Sequence, residues 1–286
     1  MTTNQSQAKL GIIAGGGELP TLIIDACIAA GRPYFVLGLS DFVQPDLLPE
    51  EPGAVIRLGE VGKGFDHLKK NGVKEVVMAG RVGRPSLLKL KPDLKTTKML
   101  ARIGIQALGD DGLLAAVIEE IEGEGFCMVG VDDILSNLLA KAGPLGEFEP
   151  DNTGWVDIAR GCEVVRALGG ADVGQAAIVQ QGIVLGVEAA EGTDALIDRC
   201  RHLNVGGPGG VLIKLRKPGQ DHRADLPTVG ARTVESAAAG GLAGVAVEAN
   251  GVLVIHSDVM IQKANAAGIF VVGIDPTEFE RIAIRE

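Results

Sequence analysis

The feature that most constrains the fold is a series of short apolar runs without polar alternation, separated by helix-like or turn-like segments. Such runs are typical of parallel strands that are buried on both faces of a sheet. Pro20 in the first turn of the first predicted helix and Gly31 after its end mark the limits of that helix. In the N-terminal half the pattern predicts a Rossmann-like parallel sheet, with strands at 9–14, 34–37, 54–58 and 73–78 and helices at 19–30, 64–71, 95–108, 112–122 and 132–141.

The C-terminal half is also α/β, but its pattern is different. Two apolar runs, 176–180 and 183–187, flank Gln181-Gly182, which predicts a β-hairpin. A hairpin next to strand–helix units predicts a mixed sheet that is distinct from the N-terminal one. The other predicted strands lie at 211–215, 243–247, 252–255 and 269–274, and the predicted helices at 156–168, 193–202, 233–239 and 257–267.

The length predicts two domains. At about 150 residues per domain, 286 residues with 46% hydrophobic side chains are enough for two separate cores. The segment 143–155 interrupts the α/β pattern with Gly, Pro, Asp and Asn, which is typical of a linker. We therefore predict an N-terminal Rossmann-like domain at 1–143 and a C-terminal α/β domain at 144–286.

The composition excludes several classes of protein. Aromatic residues make up 3% of the chain and the net charge is −10, which argues against a nucleic-acid binder. Four widely spaced cysteines favour reduced thiols in the cytoplasm over a zinc ribbon or a disulfide framework. No signal peptide is expected, and the longest uncharged run, 173–187, is too short to cross a bilayer. We expect a cytoplasmic protein, and the acidic net charge does not exclude an anionic small substrate. The oligomeric state stays open, a homo-oligomer included.

Glycine-rich segments follow two of the predicted N-terminal strands. Gly15-Gly16-Gly17 leads into a helix whose first amides and dipole favour an anion, although Pro20 replaces the last glycine of the dinucleotide-binding motif. Gly80 and Arg81 belong to the segment AGRVGRPS at 79–86, whose arginines suit a phosphate. An ordinary turn and plain surface charge are the alternatives. The segment 109–112, GDDG, similarly suits either a divalent cation or a helix cap.

The C-terminal half carries a denser set of polar candidates. The segment 188–194 follows a strand and enters a helix, which suits a phosphate, a metal ion or sugar hydroxyls, or else only a helix cap. The segment 214–230, KLRKPGQDHRADLPTVG, combines basic side chains with aspartates. Diphosphate hydrolysis needs cations to neutralise phosphoryl oxygens and a carboxylate to orient water or a metal ion. A solvated charged loop is the alternative for this segment.

Five blocks of sequence together carry a resemblance to a known family. They are GIIAGGGELP (11–20), AGRVGRP (79–85), GDDGLL (109–114), DVGQAAIVQQGIVLGVEAAEGTDAL (172–196) and KPGQDHRADLPTVGARTVESAAAGGLAGVAVEA (217–249). In this order they resemble the LpxI-type UDP-2,3-diacylglucosamine pyrophosphatases. The likeness runs over nearly the whole chain, and the C-terminal blocks are the most specific.

The resemblance implies a hydrolase of lipid A biosynthesis. The expected reaction cleaves UDP-2,3-diacylglucosamine to UMP and 2,3-diacylglucosamine 1-phosphate (lipid X), with Mg²⁺ as the cofactor and water directed at the β-phosphorus. The family also implies two α/β domains with the active site between them. Because the lipid is embedded in a membrane, the expected access is peripheral contact with the inner membrane or direct handover between enzymes.

The expected site residues follow from the resemblance and from residue chemistry. Asp225, Asp221 and Arg223 are the expected catalytic residues, and Asp225 and Asp221 are also the expected Mg²⁺ ligands. Ala224 is smaller than the aliphatic residue that the family motif QDxRxDLPT leads us to expect, which concerns packing and not chemistry. The expected substrate-binding residues are Gly15, Gly16, Gly80, Arg81, Asp172, Gln175, Glu188, Gly192, Thr193, Asp194, Lys214, Lys217, Gln220 and Thr228.

Two other functions fit part of the sequence. A non-catalytic protein that binds a nucleotide sugar or a lipid would use the same residues but would release no UMP. A nicotinamide-dependent oxidoreductase would use the Gly15 turn, but Pro20 and the lack of an acidic residue at the end of the second strand disfavour it. The sequence therefore favours the hydrolase.

Overall fold

The computed structural model describes residues 7–43, 52–83, 91–103, 110–203 and 205–283. The chain forms two compact units. The N-terminal unit contains residues 1–136 and 221–225, and the C-terminal unit contains residues 137–220 and 226–286. The units thus divide at Ser136/Asn137, whereas the sequence analysis predicted a domain boundary at 143/144. In addition, a short segment from the C-terminal half of the chain belongs to the N-terminal unit.

The N-terminal unit is built on a parallel sheet of five described strands. Its elements are β1 (Leu10–Ala14), α1 (Leu19–Ala30), β2 (Tyr34–Leu39), β3 (Gly53–Ile56), α2 (Val61–Lys70), β4 (Glu75–Ala79), α3 (Leu94–Ile103), α4 (Asp110–Gly123), β5 (Cys127–Met128) and α5 (Val131–Ile134). The strand order is β3-β2-β1-β4-β5. The order reverses direction at β1, as in doubly wound folds, and confirms the predicted Rossmann-like sheet.

Burial on both faces explains why the apolar runs of this unit form parallel strands. Ile12 in β1 and Val76 in β4 are fully buried. Helix α1 contributes Ile23 to the buried core, and α2 contributes Leu68. Helix α1 ends at Gly31, whose φ of 62° is the left-handed conformation of a helix C-cap, as the sequence predicted.

The C-terminal unit is built on a mixed sheet of six described strands. Its elements are β6 (Gly143–Pro144), α6 (Asn152–Gly170), β7 (Ala176–Gln180), β8 (Ile183–Val187), α7 (Thr193–Cys200), β9 (Val211–Lys214), β10 (Thr228–Val229), α8 (Ala231–Ala239), β11 (Gly244–Glu248), β12 (Leu253–Val254), α9 (Ser257–Ala267), β13 (Phe270–Ile274) and α10 (Pro276–Ala283). The order is β6-β13-β11-β9-β7-β8, in which β9, β11 and β13 are parallel. Strands β6 and β7 run antiparallel to their neighbours, so the predicted mixed sheet is confirmed.

Helices cover both faces of the C-terminal sheet. Alternate residues of each strand point to opposite faces. In β9, Leu212 belongs to the core shared with α7, α8 and α9, whereas Ile213 belongs to the core shared with α6. The sheet is therefore the central layer of the unit, and its polar residues are concentrated at the strand ends.

The hairpin predicted around Gln181-Gly182 is confirmed. Strands β7 and β8 pair in antiparallel orientation, and the two turn residues have φ values of 51° and 76°. Two positive φ angles are characteristic of the type I′ turn, which matches the twist of the strands. The buried carboxylate of Asp157 in α6 supports the turn, because it accepts hydrogen bonds from Gln181 N (3.0 Å) and Gly182 N (2.7 Å).

The prediction of a helix at 132–141 is wrong beyond its first turn. Helix α5 ends at Ile134, a 3-10 turn covers Ser136–Leu138, and Leu139 bridges Leu253. Ala140 N then donates to Val252 O (2.9 Å). The chain leaves the helical path because its backbone pairs with a distant segment of the C-terminal unit.

Two further predictions need correction. The supposed linker at 143–155 is structured, since it contains β6, which pairs with β13, and Asp151, which caps α6 by accepting from Gly154 N (2.7 Å). The strand predicted at 252–255 does not join the main sheet, because β12 pairs with β10 in a separate two-stranded sheet. Among the described helices, none is both long enough and apolar enough to cross a membrane.

Candidate active site

The two glycine-rich segments of the N-terminal unit meet at the carboxyl ends of β1 and β4. Gly16 N donates to Arg81 O (2.9 Å), and Arg81 N donates to Gly16 O (2.8 Å). Gly15 N donates to Ala79 O (2.8 Å). The structure therefore brings together the residues that the sequence assigned to this unit, at the edge where open α/β sheets bind ligands.

Glycine is needed in these turns because two backbones approach closely. A Cβ atom on Gly15 would lie 2.6 Å from Arg81 O, and one on Gly80 would lie 2.6 Å from Gly16 O. Gly80 also has a φ of 92°, which L side chains rarely adopt. Since the amides of Gly15 and Gly16 already donate to carbonyl groups, the exposed side chain of Arg81 is better suited to an anion than these two amides.

Several predicted residues gather at the carboxyl edge of the C-terminal sheet, where β8 and β9 end and β7 begins. Glu188 follows β8 and is buried. Its Oε1 accepts a hydrogen bond from Thr193 Oγ1 (2.6 Å), and its Oε2 accepts one from Gln175 N (3.1 Å). A Cβ atom on Gly174 would lie 2.1 Å from Glu188 O, so the two chain segments are in direct contact. The carboxylate therefore joins the start of β7 to the start of α7.

Lys214, the last residue of β9, is 7% exposed, and a buried ammonium group needs polar partners. Its Nζ donates to Thr193 Oγ1 (3.0 Å) and to Thr228 O (3.1 Å). The Thr193 hydroxyl thus donates to Glu188 and accepts from Lys214. We refer to Gln175, Glu188, Thr193, Lys214 and Thr228 as the Lys214 network.

A second lysine of the same segment is also buried. Lys217 is 9% exposed, and its Nζ lies 2.5 Å from Asp172 Oδ1. Asp172 has a φ of 52°, a left-handed conformation that aspartate tolerates better than most residues. Each buried lysine thus has a carboxylate nearby, Asp172 directly for Lys217 and Glu188 through the Thr193 hydroxyl for Lys214.

One acceptor of the Lys214 network is unsatisfied. Gln175 Oε1 is buried, and it receives no hydrogen bond within the described part of the chain. Buried polar atoms are almost always hydrogen-bonded to protein or to ordered water. A hydroxyl or N–H group of a ligand is therefore a suitable partner for this oxygen.

The structure does not bring every predicted residue into the network. Asp194 forms an exposed ion pair with Arg232. Gly192, with a φ of 83°, is the N-cap of α7, and Thr193 is the first residue of the helix. The Thr193 hydroxyl is directed to Glu188. Gln220 lies in the turn after the second lysine, where its N–H donates to Lys217 O (3.2 Å). Residues 84–86 and Gly109, which belong to two of the predicted segments, lie outside the described residues.

The expected catalytic residues lie in the segment 221–225, which belongs to the N-terminal unit. Asp221 Oδ1 accepts from Arg223 N (2.9 Å) and Nε (3.0 Å), and Oδ2 accepts from Nε (3.2 Å) and Nη2 (2.7 Å). The hydrogen bonds from Arg223 hold the pKa of Asp221 below its usual value, and those to Asp221 raise the pKa of Arg223. Both groups are therefore charged at neutral pH. Asp225 is exposed at the end of the segment.

Sequence reasoning missed the partners of this segment. His222 Nδ1 lies 3.1 Å from both carboxylate oxygens of Asp132, and Arg223 Nη1 donates to Glu122 Oε1 (2.7 Å). The paired residues are 90 and 101 positions apart, so no local pattern indicates these contacts. Ala224 packs against the core of the N-terminal unit, which is the kind of role that the sequence analysis expected for it.

The segment 221–225 could bind a magnesium ion through one of its carboxylates. Mg²⁺ is usually bound by one or two carboxylates, and substrate phosphates and water complete its coordination. Asp225 is exposed, so its carboxylate is accessible to such an ion. The Asp221 carboxylate accepts four hydrogen bonds from Arg223. Among the described residues, no group of three or more His, Cys, Asp or Glu side chains is arranged to hold a metal ion. The donor set therefore favours an ion that depends on substrate oxygens.

Comparison with known proteins identifies the family. The models of the LpxI N-terminal domain and the LpxI C-terminal domain match residues 9–138 and 141–272. The chain belongs to the LpxI family. A relative from Caulobacter vibrioides, UDP-2,3-diacylglucosamine pyrophosphatase LpxI, is 42% identical over 277 residues, which cover 94% of this chain and 99% of the relative. These matches confirm the resemblance that the sequence blocks indicated.

The LpxI domain models and the compact units differ in one respect. Residues 221–225 lie within the match to the LpxI C-terminal domain, yet in the structure they belong to the N-terminal unit. The glycine-rich turns lie within the match to the LpxI N-terminal domain, and the Lys214 network lies within the match to the C-terminal domain. Each LpxI domain match thus contains candidate residues of its own.

Proposed function

We propose that this LpxI-family protein hydrolyses the diphosphate of UDP-2,3-diacylglucosamine, releasing UMP and 2,3-diacylglucosamine 1-phosphate in lipid A biosynthesis. The observation that carries the proposal is the 42% identity, over nearly the full length of both chains, to a protein with this activity in its name. The buried ammonium group of Lys214 at the edge of the C-terminal sheet supports it, because a nucleotide diphosphate is strongly anionic.

In this function Lys214 neutralises phosphoryl oxygens of the substrate. Thr193 and Thr228 hold its ammonium group, so it needs little reorganisation when the substrate binds. Preorganised positive groups in a buried site stabilise developing negative charge more strongly than solvated ones. Gln175 Oε1 accepts a hydrogen bond from a substrate hydroxyl or N–H group.

Asp225 is the carboxylate that we assign to catalysis, with Mg²⁺ as the cofactor. A bound Mg²⁺ would withdraw charge from the phosphoryl oxygens. Asp225 binds this ion or orients the attacking water. Asp221 holds the Arg223 guanidinium, which is suited to stabilise the charge of a phosphate group.

We assign water attack to the β-phosphorus, on the sugar side of the diphosphate. The water oxygen then forms a new bond to this phosphorus, the phosphoanhydride bond breaks, and UMP leaves with the bridging oxygen. Hydrolysis of UDP-2,3-diacylglucosamine in isotopically labelled water is the test. Label in the sugar phosphate is the expected result, and label in UMP would contradict attack at the β-phosphorus. Substrate binding without UMP release, with or without Mg²⁺, would show the non-catalytic alternative instead.

The substrate also determines where the protein acts. Two acyl chains anchor a lipid stably in a bilayer. We therefore propose that the protein is cytoplasmic and contacts the inner membrane peripherally. Co-sedimentation with vesicles that contain UDP-2,3-diacylglucosamine, compared with vesicles that lack it, measures this contact. If the protein sediments with neither kind of vesicle, the proposed membrane contact is wrong.

A further inference from the structure

The segment 221–225 has an unusual place in the structure. The chain belongs to the C-terminal unit from Asn137 to Gln220 and again from Leu226 onward, and the five residues between these two stretches belong to the N-terminal unit. This short segment contains no helix or strand. It nevertheless carries the carboxylate that we assign to catalysis, Asp225. Something other than regular secondary structure must hold it in place.

Three contacts within the N-terminal unit hold the segment. The Arg223 guanidinium bonds to Asp221 through Nε and Nη2, and its Nη1 donates to Glu122 Oε1 in α4 (2.7 Å). His222 Nδ1 lies 3.1 Å from both carboxylate oxygens of Asp132 in α5. Ala224 packs against the core of the unit.

A backbone hydrogen bond also stabilises the segment. Ala224 N donates to Asp221 O (2.9 Å), which forms a turn immediately before Asp225. The turn and the three side-chain contacts fix four consecutive residues. A catalytic group that is displaced by about 1 Å loses on the order of 10²-fold in rate, so the position of this turn matters for catalysis.

We propose that Glu122 and Asp132 are positioning residues for Asp225. They act through Arg223 and His222, respectively, and fix the turn from which Asp225 extends. This inference rests on the proposed function, because it assumes that Asp225 takes part in hydrolysis. It assigns a role to two acidic residues that lie outside the segment and that the sequence motifs do not include.

The test compares Glu122→Gln with Glu119→Gln in steady-state hydrolysis of UDP-2,3-diacylglucosamine. Glu119 is an exposed residue of the same helix, α4, and serves as the matched control. We expect Glu122→Gln to lower kcat about five-fold, because the free energy that a partly exposed ion pair contributes corresponds to a change of this size. KM and Tm should stay close to the wild-type values. The control should keep the wild-type kcat. A wild-type kcat for Glu122→Gln would overturn the role of Glu122.

The role of Asp132 is tested by a double-mutant cycle with His222. We expect Asp132→Asn to lower kcat by a similar factor in the wild-type background, and to have no further effect in a His222→Gln background. Equal effects in both backgrounds would overturn positioning through His222. If the wild-type protein itself does not hydrolyse the substrate, the proposed function fails; if it does and these variants match it, only the positioning role fails.

Discussion

At the scale of single residues, Asp225 carries the most specific prediction. We expect Asp225→Ala to reduce kcat by at least about 10²-fold, as the loss of an electrostatic or orienting group does, while UDP-2,3-diacylglucosamine still binds. Product release measured by chromatography and binding measured by calorimetry separate the two effects. Asp198→Ala, a change at an exposed position of α7, is the control and should keep wild-type turnover. Wild-type turnover of Asp225→Ala would show that the assignment is wrong.

Lys214 supports a second prediction at this scale. Lys214→Met keeps a similar volume but removes the ammonium group that Thr193 and Thr228 hold. We expect kcat/KM to fall by about 10²- to 10³-fold, the cost of losing one preorganised donor to a phosphoryl oxygen. Lys263→Met, at a surface lysine paired with Glu235, is the control. The assignment fails if both variants hydrolyse the substrate equally well.

At the scale of elements, Asp93 links two helices of the N-terminal unit. Its Oδ2 accepts from Gly62 N in the first turn of α2 (2.8 Å), and its Oδ1 accepts from Thr96 N in the first turn of α3 (2.7 Å). Burial alone would raise the pKa of Asp93, but the hydrogen bonds from Thr96 and Gly62 outweigh burial and leave the pKa below its usual value. The charged carboxylate is therefore the form that caps both helices.

This geometry predicts a pH-dependent loss of stability. We expect Asp93→Ala to lower the free energy of unfolding by about 1–2 kcal/mol at neutral pH, the usual cost of losing a helix cap. Because the pKa of Asp93 is lowered by folding, its contribution is complete above the unfolded-state pKa of about 3.9 and is lost as the pH falls through the lower folded-state pKa. The difference between wild type and variant should therefore shrink in strongly acidic buffer.

Denaturant unfolding at several pH values measures this difference. Asp66→Ala, at an exposed position of α2, is the control and should change stability little at any pH. If Asp93→Ala has the wild-type free energy of unfolding at neutral pH, the two hydrogen bonds make no net contribution to stability and the prediction is wrong.

At the scale of the whole molecule, the donor set predicts how the protein responds to metal removal. Because Asp225 is the one carboxylate that we assign to Mg²⁺, the substrate must supply further oxygens, and affinity without substrate should be low. We expect a chelator to reduce turnover by at least about 10²-fold and Mg²⁺ to restore it, with little change in the Tm of the substrate-free protein. Full activity after exhaustive chelation would rule out Mg²⁺ as the cofactor.

Much of the fold was predictable because it depends on local pattern. Apolar runs such as 34–37 and 73–78 became parallel strands, and the pair Gln181-Gly182 became the turn of a hairpin. The helix predicted at 132–141 was wrong beyond its first turn, because the backbone there pairs with a distant segment: Ala140 N donates a hydrogen bond to Val252 O. Helical periodicity cannot reveal such a competing partner.

The sequence by itself determined the two α/β halves, the family, and the residue types that suit a diphosphate, because burial period and local motifs are properties of neighbouring residues. The tertiary structure alone decided how those residues are used. It directed the Thr193 hydroxyl to Glu188 and Lys214, and it placed residues 221–225 on the N-terminal unit beside Glu122 and Asp132. Except for the Thr193–Glu188 bond, which spans five positions, these contacts join residues at least 21 positions apart, so they exist only once the strands and helices have packed.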